Sequence, residues 1–149
     1  MIKVLFVCHG NICRSTMSEQ VFKDMVAKEG LSDCFEIDSA ATSREEIGNT
    51  IYPPAKKTLI KYGIDPGNHR ARQITKRDYE HFDYIFIMDH YNARNLERLL
   101  GPDKDNKVRM LHTHAISDPW YSGDFESTYW DVVEGCSAFL EELKNTNQI

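Results

Sequence analysis

The chain contains no apolar run near the roughly 18 residues that a membrane span needs. It also lacks an internal repeat, a low-complexity tract and any Pro/Gly/Ser-rich linker, so its 149 residues read as one domain, 1–149, long enough to bury a core. Met1-Ile2-Lys3 runs directly into a short apolar segment that has neither the length nor the small-residue cleavage site of a signal peptide. A cytoplasmic protein with no membrane association is therefore expected. An excess of basic charge is missing too: 18 Lys and Arg stand against 23 Asp and Glu, a net charge of −5. That balance argues against nucleic-acid binding, and any anion site must be local. With only four cysteines, Cys8, Cys13, Cys34 and Cys136, a cytosolic chain of this size has no disulfide framework. Cys34 and Cys136 read as buried small hydrophobes. His112 and His114 alternate as neighbours on a strand or loop, but Cys8 and Cys13 have no companion pair at ligand spacing. Neither a metal nor another cofactor is expected.

What is present begins with an apolar run, Ile2 to Val7, rich in branched residues as in a strand covered on both faces. Apolar residues from Met17 to Val26 then recur at helical spacing and predict a helix over Arg14–Lys28, stopped by Gly30. Phe35–Ser39 reads as a second strand, and Ala40–Asn49 as a polar loop. Pro53 and Pro54 suit the first turn of a helix that carries Ala55, Leu59 and Tyr62 on one face and ends at Gly63. Thr75-Lys76-Arg77-Asp78 resembles a capping box. Tyr84–Met88 is another buried strand, and Asp89 can cap a helix whose inward residues are Leu96, Leu99 and Leu100. Val108–Leu111 is a fourth strand, and His112–Gly123 a loop. A last helix starts near Asp124 with the stripe Tyr129, Val132, Val133, Cys136, Phe139, Leu140 and Leu143. Strands that alternate with helices indicate an α/β fold, a four-stranded parallel sheet with helices on both faces. Ligands bind such sheets beyond the carboxyl ends of the strands, where Cys8 lies.

The stretch from Cys8 to Ser15 carries the chemistry. Gly10 accepts a positive φ at little cost, and Asn11 is among the few other residues that tolerate it. Such residues let successive backbone N–H groups converge into a nest. The helix N-terminus that follows adds unpaired N–H groups and a positive dipole end. Arg14 supplies a planar, permanently charged fork for a tetrahedral oxyanion. The segment His9-Gly10-Asn11-Ile12-Cys13-Arg14 is thus a cradle for a phosphate-like dianion. A cysteine beside a helix N-terminus and a cation favours its thiolate, the nucleophilic form, and Ser15 is placed to hydrogen-bond that sulfur. Cys13 lies near enough in sequence to form a reversible disulfide with Cys8.

This arrangement resembles the phosphate loop of the low molecular weight protein tyrosine phosphatases, and the resemblance extends over nearly the whole chain. It implies a flavodoxin-like three-layer sandwich and hydrolysis of phosphotyrosine proteins or peptides and small aryl phosphates. The reaction would pass through a phosphocysteine on Cys8 and release inorganic phosphate. The general acid implied is Asp118, in Asp118-Pro119-Trp120-Tyr121; a carboxyl group there protonates the leaving oxygen and later activates water. The resemblance also implies a supporting network in which Asn11 is held by Ser15, Ser39 and His69. It implies a substrate cleft walled by Ile12, Trp120 and Tyr121 on one side and Glu45 and Ile47 on the other. A monomer is expected. The sequence departs from the family pattern at Glu45, where many relatives carry an aromatic, at Thr16, where proline is usual, and at Tyr52-Pro53-Pro54, where an acid and an arginine are common. Two rivals share the fold. An arsenate reductase needs relay cysteines, and none lies between Cys34 and Cys136. A protein-arginine phosphatase carries a small threonine where this chain has Ile12. A phosphate-dependent binding module or redox sensor would have no need of an acid at Asp118.

Overall fold

A computed structural model describes all 149 residues. Four parallel strands form one sheet in the order β2-β1-β3-β4. They are β1 (Ile2–Cys8), β2 (Phe35–Ala41), β3 (Tyr84–Ile87) and β4 (Val108–Met110). The helices are α1 (Arg14–Lys28), α2 (Pro53–Lys61), α3 (Lys76–His81), α4 (His90–Leu100), α5 (Pro119–Ser122) and α6 (Phe125–Asn145). The architecture is the expected flavodoxin-like α/β sandwich.

The alternation of β1 explains the two covered faces. Val4, Phe6 and Cys8 belong to a core cluster shared with Met17 and Phe22 of α1 and Phe139 and Leu143 of α6. Leu5 and Val7 point the other way, into a cluster with Tyr79 of α3, Ile85 of β3 and Leu96 of α4. Successive strand residues face opposite sides, so a strand buried on both must be apolar throughout. Under the first face, aromatic rings lock the layers. Phe6 meets Phe22 edge-on at 5.9 Å, and Phe86 meets Phe139 edge-on at 4.6 Å.

Several boundaries differ from the sequence reading. β2 continues past Ser39 to Ala41, because Phe6, Val7 and Cys8 of β1 pair onward with Ser39, Ala40 and Ala41. β4 stops at Met110. The stretch read as a loop before Asp124 holds the one-turn helix α5, capped by Asp118, whose side chain accepts a hydrogen bond from the Trp120 N–H. Leu99 is 37% exposed rather than inward. Leu100 and Val133 are half-buried, since the apolar stripe of each helix is narrower than the pattern suggested. Cys34 is half-buried at the end of a 3₁₀ turn, Ser32–Cys34, whereas Cys136 is fully buried as expected. The caps at Thr75 and Asp89 form as read, the first with Asp78 and the second with Asn92.

Gly135 sets the closeness of α6 to the sheet. A Cβ there would lie 2.6 Å from the Leu111 carbonyl oxygen, a backbone atom that cannot swing away. Helix propensity alone would favour Gly135→Ala by about 1 kcal/mol. The clash should outweigh it, so Gly135→Ala is expected to lower stability by about 1–3 kcal/mol in denaturant unfolding. An unchanged or raised stability would mean that α6 does not pack this closely.

Candidate active site

The first strand ends at Cys8, and the chain turns at once into the N-terminus of α1. β2 and β3 lie on opposite sides of β1, so this turn sits at the sheet's topological switch point. Four carbonyls near it are tied outward. Those of Cys8, His9 and Ile12 accept from the N–H groups of Thr42, Ser43 and Tyr52, and that of Cys13 accepts from Met17. These four carbonyls are thus satisfied by N–H groups from outside the turn. Asn11 N–H lies 3.3 Å from Cys8 Sγ. The N-cap of α1, Cys13, offers no side-chain cap to the helix N–H groups, and the first turn holds no acid. α3, α4, α5 and α6 all have a side-chain cap, and α2 starts on prolines, so α1 presents its first N–H groups uncapped at the loop.

Asn11 gives the turn its shape. It is completely buried, with a φ of 60°. Its Nδ2 donates to Ser15 Oγ at 2.7 Å and to Ser39 Oγ at 2.9 Å. Its Oδ1 accepts from His69 Nε2 at 2.7 Å and from the Arg72 N–H at 3.2 Å. His69 must therefore carry a proton on Nε2. Ser15 Oγ lies 3.0 Å from Cys8 Sγ. Because it already accepts from Asn11, its own hydrogen is free to point at the sulfur. The three partners expected for Asn11 are all in place.

Two members of this network were not anticipated. Glu19 is buried on α1 and accepts from Ser39 Oγ at 2.6 Å and from Lys23 Nζ at 2.6 Å. Arg72 binds both carboxylate oxygens of Asp78, at 2.9 and 3.1 Å, and also reaches Asp38 at 3.0 Å. Burial by itself would raise the Asp78 carboxyl, but Arg72 and the Thr75 N–H outweigh it and hold it below the ordinary range.

Arg14 is only 3% exposed. Its Nη1 donates to Asp89 Oδ2 at 2.7 Å and to the Ile116 carbonyl at 2.8 Å. Asp118 Oδ2 stands 3.5 Å from Nη2. Burial alone would lower the arginine's affinity for its proton; Cys8, Asp89 and Asp118 reverse that and raise it. Asp89 reads in the sequence only as a helix cap, yet its second oxygen also holds the Arg14 guanidinium. Its place at the carboxyl end of β3 was the signal that could have marked it. Asp118 arrives from far along the chain. The Ile116 N–H bonds to the Met88 carbonyl, and buried Thr128 donates to the Ser117 carbonyl at 3.0 Å, which pins the segment beside the loop.

These groups enclose a cavity of about 110 Å³. Cys8, Gly10, Ile12, Cys13 and Arg14 line its base, with Asp118, Trp120 and Tyr121 on one side. Trp120 is 51% exposed, and its ring rests 4.8 Å from that of Tyr52, which in turn stacks on Phe125. Tyr52, at a position where the family pattern differs, thus braces the cleft wall. On the other side stand Glu45 and Glu46. Ile47, expected there, is exposed and takes no part in the cavity; Glu46 occupies that place instead. His9 also lines the cavity, and its ring Nε2 lies 2.9 Å from Glu45 Oε2. Cys13 lines the same cavity as Cys8, and burial, then the nearby Cys8 and Asp118, push its thiol strongly up. Cys13 is thereby kept a neutral thiol.

Comparison with known proteins agrees with this geometry. Residues 3–149 match the family model described as low molecular weight phosphotyrosine protein phosphatase. The chain is 44% identical to the protein of that name from Gallus gallus, across 93% of this chain and 94% of that protein. The crystal structure of YfkJ from Bacillus subtilis superposes with a TM-score of 0.93 at 35% identity, covering 98% of this chain and 96% of that one. A structure titled as a Drosophila arginine phosphatase superposes with a TM-score of 0.88 at 34% identity, covering 96% and 98%. No helix is long and apolar enough to cross a membrane. The loop, the buried arginine and the coverage from end to end lead to one assignment: the chain belongs to the low molecular weight phosphotyrosine protein phosphatase family, a family of hydrolases.

Proposed function

We propose that the chain acts as a single catalytic domain that hydrolyses phosphotyrosine in proteins or peptides, and small aryl phosphates, through a phosphocysteine on Cys8. The observation that carries this reading is the convergence of Cys8, Arg14 and Asp118 on one cavity, with Asp118 Oδ2 3.5 Å from Arg14 Nη2. The phosphoryl oxygens take the N–H groups of the loop and the guanidinium of Arg14. The Cys8 thiolate attacks phosphorus, and the bond from phosphorus to the aryl oxygen breaks. Asp118, as the acid, gives its proton to that departing oxygen. In the second step Asp118 takes a proton from water, the water oxygen bonds to phosphorus, and the P–S bond breaks to return the thiolate and release inorganic phosphate. The Ser15 hydroxyl supports the sulfur in both directions. No step calls for a metal or cofactor. His69 fixes Asn11 and transfers no proton.

Ile12 and Trp120 supply apolar surface for an aromatic ester. A second reading, a phosphoarginine substrate, has the Drosophila relative in its favour, but Ile12 gives that cleft an apolar wall suited to a ring. The cytoplasm fits a nucleophilic thiol that must stay reduced.

Cys13 serves as a partner for Cys8 under oxidation. Peroxide oxidises the Cys8 thiolate to a sulfenic acid; the Cys13 thiol gives up its proton as it attacks that sulfur, and the hydroxyl leaves with that proton as water when the disulfide closes. Proteolysis after mild peroxide should yield a linked Cys8–Cys13 peptide, with activity restored by a thiol reductant. In Cys13→Ser the activity should fail to return. Equal recovery by both forms would remove Cys13 from this role.

Asp118→Ala is expected to lower turnover by about 10²–10⁴-fold on aryl phosphates with poor leaving groups and far less on those with good ones. A uniform loss across the series would argue against the acid. Run alongside, phosphotyrosine peptides should outpace phosphoarginine and phosphoserine peptides; a preference for phosphoarginine would replace the first reading by the second.

A further inference from the structure

A cluster remote from the phosphate loop is built from residues that the reaction does not use. His112 and His114 follow the end of β4, and Asp131 and Glu134 face them from the second and third turns of α6. One donor atom from each of His112, His114 and Asp131 falls within 4.8 Å of the others. His114 Nε2 is 3.5 Å from Asp131 Oδ1, and His112 Nε2 is 2.8 Å from Glu134 Oε1. The two imidazole rings lie 4.0 Å apart, tilted by 42°.

We propose that His112, His114 and Asp131 form a binding site for a divalent transition metal, of which zinc is the natural probe, with Glu134 or water completing the coordination. Two imidazoles and a carboxylate are a standard nitrogen and oxygen ligand set for such ions. Donors on a common ion at about 2.1 Å stand about 3.4 Å apart. The His114–Asp131 distance of 3.5 Å already matches that, and the remaining donor pairs lie within 4.8 Å. His114 Nδ1 donates to the Ala115 carbonyl at 2.9 Å, which fixes the ring and leaves Nε2 directed at Asp131. That is the outer hydrogen bond which orients a metal-ligating histidine. With Nδ1 facing the Ala115 carbonyl, Nε2 is the ring atom that a cation between His114 and Asp131 would take. One metal ion can collect both rings, whereas two imidazolium rings in contact would repel each other.

Charge separates this cluster from a superficially similar one. Glu19, Asp38 and His69 also bring three donors together, but Lys23 and Arg72 already supply their cations. Asp131 and Glu134 pair with no lysine or arginine, only with these histidines. The ion ties α6 to the segment that leads into Ile116, whose carbonyl holds Arg14, and on to Asp118. Two histidines at alternate positions are visible in the sequence, but their carboxylate partners come from another element.

Zinc titrated into the full-length Cys8→Ser protein by calorimetry tests the site, since that background removes the catalytic thiolate as a competing ligand. One equivalent per chain is expected, and His114→Ala or Asp131→Asn in the same background should weaken it at least tenfold. Zinc should raise the melting temperature of the Cys8→Ser protein and leave that of the His114→Ala form unmoved. Cobalt(II) in its place should show visible d–d bands without a thiolate charge-transfer band. Absence of stoichiometric binding, affinity unchanged in both variants, or a thiolate band pointing to the remaining cysteines would each overturn the proposal. His114 is exposed, so its removal leaves the fold intact even if Asp131→Asn does not fold.

Discussion

The loop from Cys8 to Arg14 depends on one buried side chain holding its own backbone in the left-handed region, which few residues other than glycine and asparagine enter. A non-glycine residue in the left-handed region costs on the order of 1–3 kcal/mol. Asn11 offsets that with four hydrogen bonds from a completely buried amide, each contributing about 1 kcal/mol. Those bonds also couple the loop to the rest of the molecule. They reach β2 through Ser39, α1 through Ser15, and the segment before α3 through His69 and Arg72. Ser39 hands the chain on to Glu19, and Ser15 hands it on to Cys8. The sulfur is thereby placed by a network that runs from one end of α1 to the other side of β2.

The packing of α1 follows from the same constraint. A surface helix would turn Ser15, Thr16, Ser18, Glu19 and Gln20 to water, yet all five are buried here. The helix packs on the sheet beside α6, with its N-terminus at the cavity, so its polar residues find partners inside the protein. Ser18 donates to the Arg14 carbonyl at 2.7 Å and Thr16 to that of Cys13 at 3.0 Å. The apolar burial of Met17, Phe22 and Val26 against the aromatic cluster holds the helix in that place. Function and stability are thus carried by the same helix.

What could be read from the sequence was what is local. A buried strand, a glycine and asparagine turn and an arginine on a new helix occupy thirteen consecutive residues, Ile2 to Arg14, and the capping boxes at Thr75 and Asp89 span four residues each. The fold class followed from the alternation of strands and helices. The misreadings arose where distant elements meet. Asp89 orients Arg14 across 75 positions, Glu19 serves Ser39 in the next strand, and Glu46 rather than Ile47 reaches the cavity. Leu99 continued an apolar spacing that α4 does not bury, because the supporting surface is narrower than the stripe. α5 was missed because a single turn has no periodicity to detect. Asp118 and the network around Asn11 were reached through resemblance, since no local pattern links them to Cys8.

The central claim is that Cys8 itself carries the phosphoryl group between two chemical steps. Rapid quenching of the wild-type protein during turnover of an aryl phosphate, followed by proteolysis and mass spectrometry, tests it most directly. The account predicts a phosphoryl group on the Cys8 sulfur, accumulating further in the Asp118→Ala protein with a good leaving group and missing in Cys8→Ser. A phosphoryl group on any other residue, or undiminished turnover by Cys8→Ser, would contradict it.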